Sequence, residues 1–121
     1  MNQPLTDAQE TWIQALESGE YNQGTGALHK QDSFCCLGVA CDLYKKELSV
    51  EHREGFTTVM YDGSLVSAPH HVVKQLKLHS KWGTSKNKVE GTLSTLNDDG
   101  SSFAEIAAML RADPEDYFYV D

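Results

Sequence analysis

The feature that most constrains the fold is the segment at residues 34–43, FCCLGVACDL, which carries all three cysteines of the chain. Its apolar residues recur at helical spacing, which predicts a largely buried helix from Cys36 to Tyr44. A disulfide between the adjacent Cys35 and Cys36 would be strained, so we expect reduced thiols in a cytoplasmic compartment. Thiols in such apolar surroundings behave as small hydrophobes, which favours a structural over a catalytic role.

Helix-start signals occur in both halves of the chain. Capping boxes at Thr6 and Ser102 predict the beginnings of two helices. Pro69 suits the first turn of a third helix, and a short helix from Leu93 is predicted to end at Gly100. The predicted helices account for much of the sequence.

Strand signals are short and local. Residues 56–61 and 64–66 flank Asp62-Gly63, a type I′ hairpin signal, and another strand is predicted near residues 27–29. The tail at residues 115–121 alternates aromatic and acidic residues, which predicts an edge strand or a surface that packs on a partner. With 40% hydrophobic residues in 121, we predict a single α+β domain over residues 1–121, with several short helices packed on a small antiparallel sheet or hairpin.

The charge balance disfavours nucleic acid as a partner. Ten Lys and Arg stand against 18 Asp and Glu, giving a net charge of -8, and phosphate backbones repel such a chain. Residues 93–110 resemble the first part of a helix-turn-helix, but the stretch after Leu110 is acidic and interrupted by proline, unlike a recognition helix. We also expect no membrane partner, because no apolar run is long enough to cross a bilayer.

A glycine-rich loop at residues 19–26 is the candidate ligand site. Its backbone N–H groups can converge on an anion, and a tyrosine ring can stack on a nucleotide base. The loop matches neither the dinucleotide fingerprint nor the phosphate loop, so a plain surface turn is the alternative. The residues that we predict to contact a ligand are Tyr21, Gln23, Gly24, Thr25 and Gly26 of this loop, together with His70, His71 and Trp82.

Catalytic and metal sites are harder to assemble from the sequence. Cys35 or Cys36 near a helix N-terminus could act with a histidine base, as in cysteine hydrolases, and the chain has five histidines. Zinc needs four converging ligands, whereas adjacent thiols on a helix diverge. We therefore expect no catalytic residue, no metal and no cofactor.

Two blocks of the sequence carry a resemblance. The first runs from Trp12 to Leu43 and contains ALESGEY, QG and FCCLGV followed by CDL; the second runs from Leu93 to Leu110 and contains LND, Gly100 and SFAEIA. Both resemble a family of small uncharacterised phage and prophage proteins. The middle departs from that family, which tends to have a proline-led helix ending in a Trp-Gly-Leu-like segment.

The resemblance implies a phage-encoded accessory protein that acts in the host cytoplasm. Counter-defence by sequestering a nucleotide-derived immune signal, without cleaving it, is the function we expect. We also expect a homo-oligomer, formed through the aromatic tail or an exposed face. Two alternatives stay open: a cysteine-dependent hydrolase, and an acidic inhibitor that offers Asp98-Asp99 and Glu115-Asp116 to a basic surface of a host protein.

Overall fold

The structure is a computed structural model that describes residues 4–52, 55, 57–86 and 91–120. Helices predominate over short strands, and the fold is α+β, as predicted from the sequence. The elements in chain order are α1 (Asp7–Glu17), β1 (Asn22–Gln23), β2 (His29–Lys30), β3 (Ser33–Phe34), α2 (Cys36–Leu43), a 3-10 turn (Lys45–Glu47), β4 (Val50–His52), β5 (Val59–Tyr61), α3 (His70–Leu76), α4 (Leu93–Asp98), α5 (Phe103–Ala112) and α6 (Pro114–Tyr117).

Local capping signals determine where the two longest helices begin. The Thr6 side chain accepts from the Gln9 N–H, and Gln9 accepts from the Thr6 N–H in return. Ser102 and Glu105 form the same reciprocal pair at the start of α5. Both predicted capping boxes are therefore confirmed, and each satisfies backbone donors that a helix N-terminus leaves without partners.

The strands form two small sheets. The first has the order β1-β3-β2, with β1 parallel and β2 antiparallel to β3, and it pairs His29 with Phe34. The second is the antiparallel pair β4-β5, in which Val50 lies opposite Tyr61. Leu28 donates its N–H to the Leu65 carbonyl, which ties the chain that follows β5 to the segment beside the first sheet.

The predicted hairpin is correct in its turn and wrong in its strand pairing. Asp62 and Gly63 have φ values of 50° and 81°, as a type I′ turn requires. However, Ser64 pairs with Tyr61 only through an isolated bridge, and β5 takes β4 as its strand partner. Phe56, where the first predicted strand begins, lies outside the described residues.

The core lies between α1, α2 and α5. Trp12 is fully buried, donates its indole N–H to the Cys36 carbonyl at 3.0 Å, and meets the Phe118 ring edge-on. On the outer side, Arg111 of α5 donates to Glu17 and Glu10 of α1. The first and last long helices are thereby packed side by side.

The tail does not form the predicted edge strand. Pro114 begins the single turn of α6, after which Phe118 forms an isolated antiparallel bridge with Leu78. Tyr117 and Phe118 are each 1% exposed, so burial of two aromatic side chains against the protein's own core determines the path of the tail. No helix within the described residues is long and apolar enough to cross a membrane.

Candidate functional site

The glycine-rich loop is bound to neighbouring elements at most of the positions predicted to contact a ligand. The Tyr21 hydroxyl donates to Asp42 at 2.6 Å, and its ring meets the Phe34 ring edge-on at 5.2 Å. Burial and the Asp42 carboxylate raise the pKa of Tyr21 well above its ordinary value. The phenol is therefore a neutral hydrogen-bond donor directed at the protein.

The backbone donors of this loop also meet protein acceptors. Gly24 donates its N–H to the Phe34 carbonyl, and Gly26 donates to the Asp98 carboxylate. Thr25, between them, is exposed. The N–H groups of Gly24 and Gly26, which were expected to bind an anion, therefore already donate to acceptors within the protein.

The loop is anchored by a polar cluster around Asn97, which is 1% exposed. Asn97 Oδ1 accepts from Gln23 Nε2 and from the Cys36 N–H, while its Nδ2 donates to the Gly24 carbonyl. Gln23 Oε1 in turn accepts from the Phe103 N–H. The most distinctive residues of the two sequence blocks thus contact one another, and these contacts join β1, α2, α4 and α5.

The other predicted ligand contacts lie in separate surroundings. His70 is exposed at the beginning of α3, and the His71 ring meets the Tyr44 ring edge-on at 5.7 Å. Trp82 is 37% exposed, with Lys81 Nζ 5.6 Å from its ring centroid. A cleft of about 220 Å³ lies beside Tyr44 and is lined by Asp7, Ala8, Thr11, Leu43 and Tyr44.

The three thiols are buried and reduced, as predicted from the sequence. Cys35 is 4% exposed, while Cys36 and Cys41 are inaccessible. Burial raises the pKa of all three thiols, the reverse of what an attacking thiolate requires. Among the described residues, no group of three or more His, Cys, Asp or Glu side chains is placed to hold a metal ion.

Another cleft lies where the tail crosses the segment after α3. The Phe118–Leu78 bridge and the Tyr119 N–H, which donates to the Lys77 carbonyl at 2.8 Å, fix this crossing. The cavity measures about 320 Å³. We call it the C-terminal cleft, and its lining residues are His79, Lys86, Glu115, Phe118, Tyr119 and Val120.

The C-terminal cleft combines aromatic, cationic and polar groups. The His79 ring lies 6.4 Å from the Tyr119 ring, tilted by 43°, and its Nε2 is 3.3 Å from the Glu115 carbonyl. Lys86 and Glu115 are the charged residues of the lining, and the buried Phe118 contributes an apolar wall. Such a mixture can hold a flat ring and a neighbouring anionic group.

A second, smaller cavity shares a wall with the first. It measures about 130 Å³, and Tyr119 and Val120 line both cavities. We call it the small cleft, and its other lining residues are Pro4, Thr6, Gln9 and Lys77. The short tail segment therefore separates two cavities, each with one lysine in its wall.

None of the predicted ligand contacts lines the C-terminal cleft, and of its residues the sequence indicates only Glu115, as a contact for a basic host protein. The lining residues come from two segments, at residues 79–86 and 115–120, and the long-range bridge at Phe118 joins these segments. The alternation of aromatic and acidic residues in the tail indicates a contact surface. It does not indicate which part of the fold the tail contacts. His79 and Lys86 have no local pattern that marks them.

A family model matches most of the chain. The family model described as a domain of unknown function (DUF8296) matches residues 1–113. The matched range includes both sequence blocks and ends before the tail segment that forms one wall of the C-terminal cleft. No curated protein and no solved structure matches the chain.

Proposed function

This chain belongs to the DUF8296 family, and we propose that it is a non-enzymatic binding protein that sequesters a nucleotide-derived ligand in the C-terminal cleft. The observation that carries the proposal is the grouping of Tyr119, His79 and Lys86 around one cavity of about 320 Å³. That volume is at the lower end of the roughly 300–1,000 Å³ typical of small-molecule sites. The phage resemblance adds the biological role that we propose, withholding an immune signal of the host.

Local charge supports an anionic ligand in spite of the net charge of -8. Screening limits the reach of exposed charges to about 8 Å at physiological ionic strength, so the groups that line the cleft dominate there. Within the lining, Lys86 offers one cationic group to a phosphate, beside the single carboxylate of Glu115. A base can stack on Tyr119 while its phosphate meets Lys86.

The chemistry of the thiols supports binding over hydrolysis. Cys35 is the candidate nucleophile nearest the surface, yet its Sγ accepts from the Gly38 N–H and burial raises its pKa. A buried neutral thiol is a poor nucleophile. The cysteine-hydrolase alternative therefore has less physical support than the binding proposal.

The structure buries part of the acidic surface that the host-protein alternative requires. Asp116 is 4% exposed and accepts from the Ser85 hydroxyl at 2.6 Å, and Asp98 accepts from the Gly26 N–H. Asp98, Asp99 and Glu115 are exposed, so they are the carboxylates that a basic partner could reach. We place this function second.

The experiment is uptake and release. The purified protein is mixed with a panel of nucleotides, freed of excess ligand and heat-denatured, and the supernatant is analysed by mass spectrometry. Recovery of an intact nucleotide supports sequestration. Recovery of an altered nucleotide would support an enzyme, and no uptake from the panel would contradict the proposal and favour a protein target.

The location is tested by calorimetric titration of variants with the nucleotide recovered. Tyr119→Ala should weaken binding by about tenfold or more, since stacking on an aromatic ring contributes roughly 1–3 kcal/mol. Tyr21→Ala and Trp82→Ala test the sites predicted from the sequence. Loss of affinity in either of these, with Tyr119→Ala unaffected, would move the site away from the C-terminal cleft.

A further inference from the structure

The charges of this acidic chain are segregated along its sequence. All 18 Asp and Glu lie outside residues 63–89, whereas this stretch contains five of the ten Lys and Arg. The stretch begins at the turn after β5, includes α3, and continues towards α4. Because exposed charges act mainly within about 8 Å at physiological ionic strength, its lysines can attract an anionic group in spite of the net charge of -8.

Exposed apolar side chains lie in the same stretch. Leu65, Val66 and Trp82 are 42%, 43% and 37% exposed, and they are half of the six large apolar side chains that are exposed among the described residues. The two segments that carry them lie side by side, since Ala68 donates its N–H to the Lys81 carbonyl at 2.9 Å. Grouped apolar side chains at a surface mark interaction sites, whereas scattered single ones do not. We call Leu65, Val66, Lys81 and Trp82 the basic-apolar surface.

The basic-apolar surface has a positive charge beside its aromatic ring. Lys81 Nζ lies 5.6 Å from the centroid of the Trp82 ring, and both side chains are exposed. Neighbouring elements reach this surface through Leu28, which donates its N–H to the Leu65 carbonyl, and through Ser94, which donates its N–H to the Trp82 carbonyl. Neither of these two neighbours is charged. The local charge is therefore that of the lysine.

We propose that the basic-apolar surface binds an acidic segment of a partner protein that carries apolar side chains between its carboxylates. The indole of Trp82 and the aliphatic side chains of Leu65 and Val66 cover the apolar groups of that segment, and Lys81 meets a carboxylate. Aromatic residues are enriched at the centres of protein interfaces, and complementary charge orients the partner and speeds association. This binding is separate from that of a nucleotide in the C-terminal cleft.

The composition of the surface favours a short acidic segment over an extended polyanion. Leu65 and Val66 offer no ring on which a nucleic acid base could stack. A nucleic acid or an anionic membrane extends past the surface and meets the carboxylates of an acidic chain, which repel it. A second copy of the chain carries the same net charge of -8. An acidic peptide segment can meet the local positive charge alone.

The intrinsic fluorescence of the protein allows a direct test. The chain has two tryptophans, and Trp12 is inaccessible, so quenching by acrylamide reports on Trp82. The probe is a short synthetic peptide of alternating glutamate and leucine. One control peptide has lysine in place of glutamate, and another has serine in place of leucine. We expect the first peptide to protect Trp82 from the quencher and to bind about tenfold or more tightly than either control.

Variants with matched controls locate the contact, with affinity measured by the fluorescence anisotropy of a dye-labelled peptide. Trp82→Ala should weaken binding by about tenfold or more, because tryptophan dominates many interfaces. Leu65→Ser should also weaken it, whereas Leu43→Ser, at a similarly exposed leucine outside the surface, should not. Lys81→Gln should reduce the salt dependence of binding, and Lys30→Gln, at an exposed lysine outside residues 63–89, should leave it unchanged.

Several outcomes would overturn the inference. These are absence of binding by the glutamate-leucine peptide, equal binding of the control peptides, and equal effects of Leu43→Ser and Leu65→Ser. Stronger protection of Trp82 by a single-stranded oligonucleotide, or by vesicles of phosphatidylcholine and phosphatidylserine, would assign the surface to those ligands. Self-association that Trp82→Ala abolishes in sedimentation would assign it to a second copy. Tyr119→Ala should bind the peptide normally, which separates this test from that of the C-terminal cleft.

Discussion

At the scale of single residues, Cys35 and Cys36 are neighbours with different surroundings. Cys35 is the N-cap of α2, where its Sγ accepts from the Gly38 N–H at 3.4 Å. Cys36 is inaccessible, and its thiol lies 3.6 Å from the Leu93 carbonyl. The Cys35 thiol therefore caps α2 in the place of a hydroxyl group, whereas the Cys36 side chain fills space in the apolar core.

These surroundings predict losses of different size for the same substitution. Cys35→Ser should change the free energy of unfolding by no more than about 0.5 kcal/mol, because serine is a favoured N-cap residue, whereas Cys35→Ala should cost about 0.5–2 kcal/mol. Cys36→Ser should cost about 1–3 kcal/mol, since a hydroxyl has a shorter bond to Cβ and ends farther from Leu93. Urea unfolding of the three variants measures this. Equal losses in both serine variants would contradict the capping role.

At the scale of elements, Asn97 shows why the two sequence blocks depend on each other. Its side chain contacts β1, the beginning of α2 and the glycine-rich loop from its own position in α4. Gln23 extends this cluster to the beginning of α5. Residues that look like ligand contacts in the sequence therefore have a structural role in joining the elements.

Removing the Asn97 side chain should destabilise the whole protein. Asn97→Ala leaves the buried Cys36 N–H and the Gly24 carbonyl without their partners, each at a cost of about 1–3 kcal/mol. Asn97→Asp keeps an acceptor for Cys36 but loses the donor to Gly24 and places a carboxylate at a buried position, so a loss of similar size is expected. Asp99→Ala, on the exposed side, is the control. If Asn97→Ala unfolds at the same temperature as this control, the polar cluster contributes little to the stability of the protein.

The same elements show what a sequence can and cannot predict. The capping boxes at Thr6 and Ser102 and the turn at Asp62-Gly63 are signals within four residues, and all three are confirmed. The β4-β5 pairing and the path of the tail depend on partners far along the chain, such as Leu78 for Phe118. The C-terminal cleft depends on that second contact, so none of the predicted ligand contacts lines it.

At the scale of the whole molecule, His29 connects the two sheets. The Tyr61 hydroxyl of β5 donates to His29 Nδ1 at 2.8 Å, because His29 Nε2–H donates to the Gln31 carbonyl at 2.9 Å. The imidazole also stacks on the Phe34 ring, with centroids 4.0 Å apart. This arrangement requires a neutral ring, and burial lowers the pKa of His29 despite the nearby carboxylate of Asp42.

Stability should therefore fall as the solution is acidified through the range of this histidine. The unfolded chain binds a proton near pH 6.5 and the folded one only at lower pH, so stability is complete above about pH 6.5 and decreases below it until the folded pKa is passed. His29→Gln should flatten this part of the profile, while the exposed His70→Gln should not. The free energy of unfolding between about pH 5 and 7.5 measures it, and an unchanged slope in His29→Gln would refute the assignment.

The contact between Arg111 and the two glutamates of α1 has a consequence for folding during synthesis of the chain. The Arg111–Glu17 pair joins residues 94 positions apart, and α1 packs its buried face beside the helix that carries this arginine. A chain still emerging from the ribosome holds α1 without its partner until α5 has left the exit tunnel. The contact between α1 and α5 can therefore form only after α5 has been synthesised, so α1 spends part of synthesis without this partner.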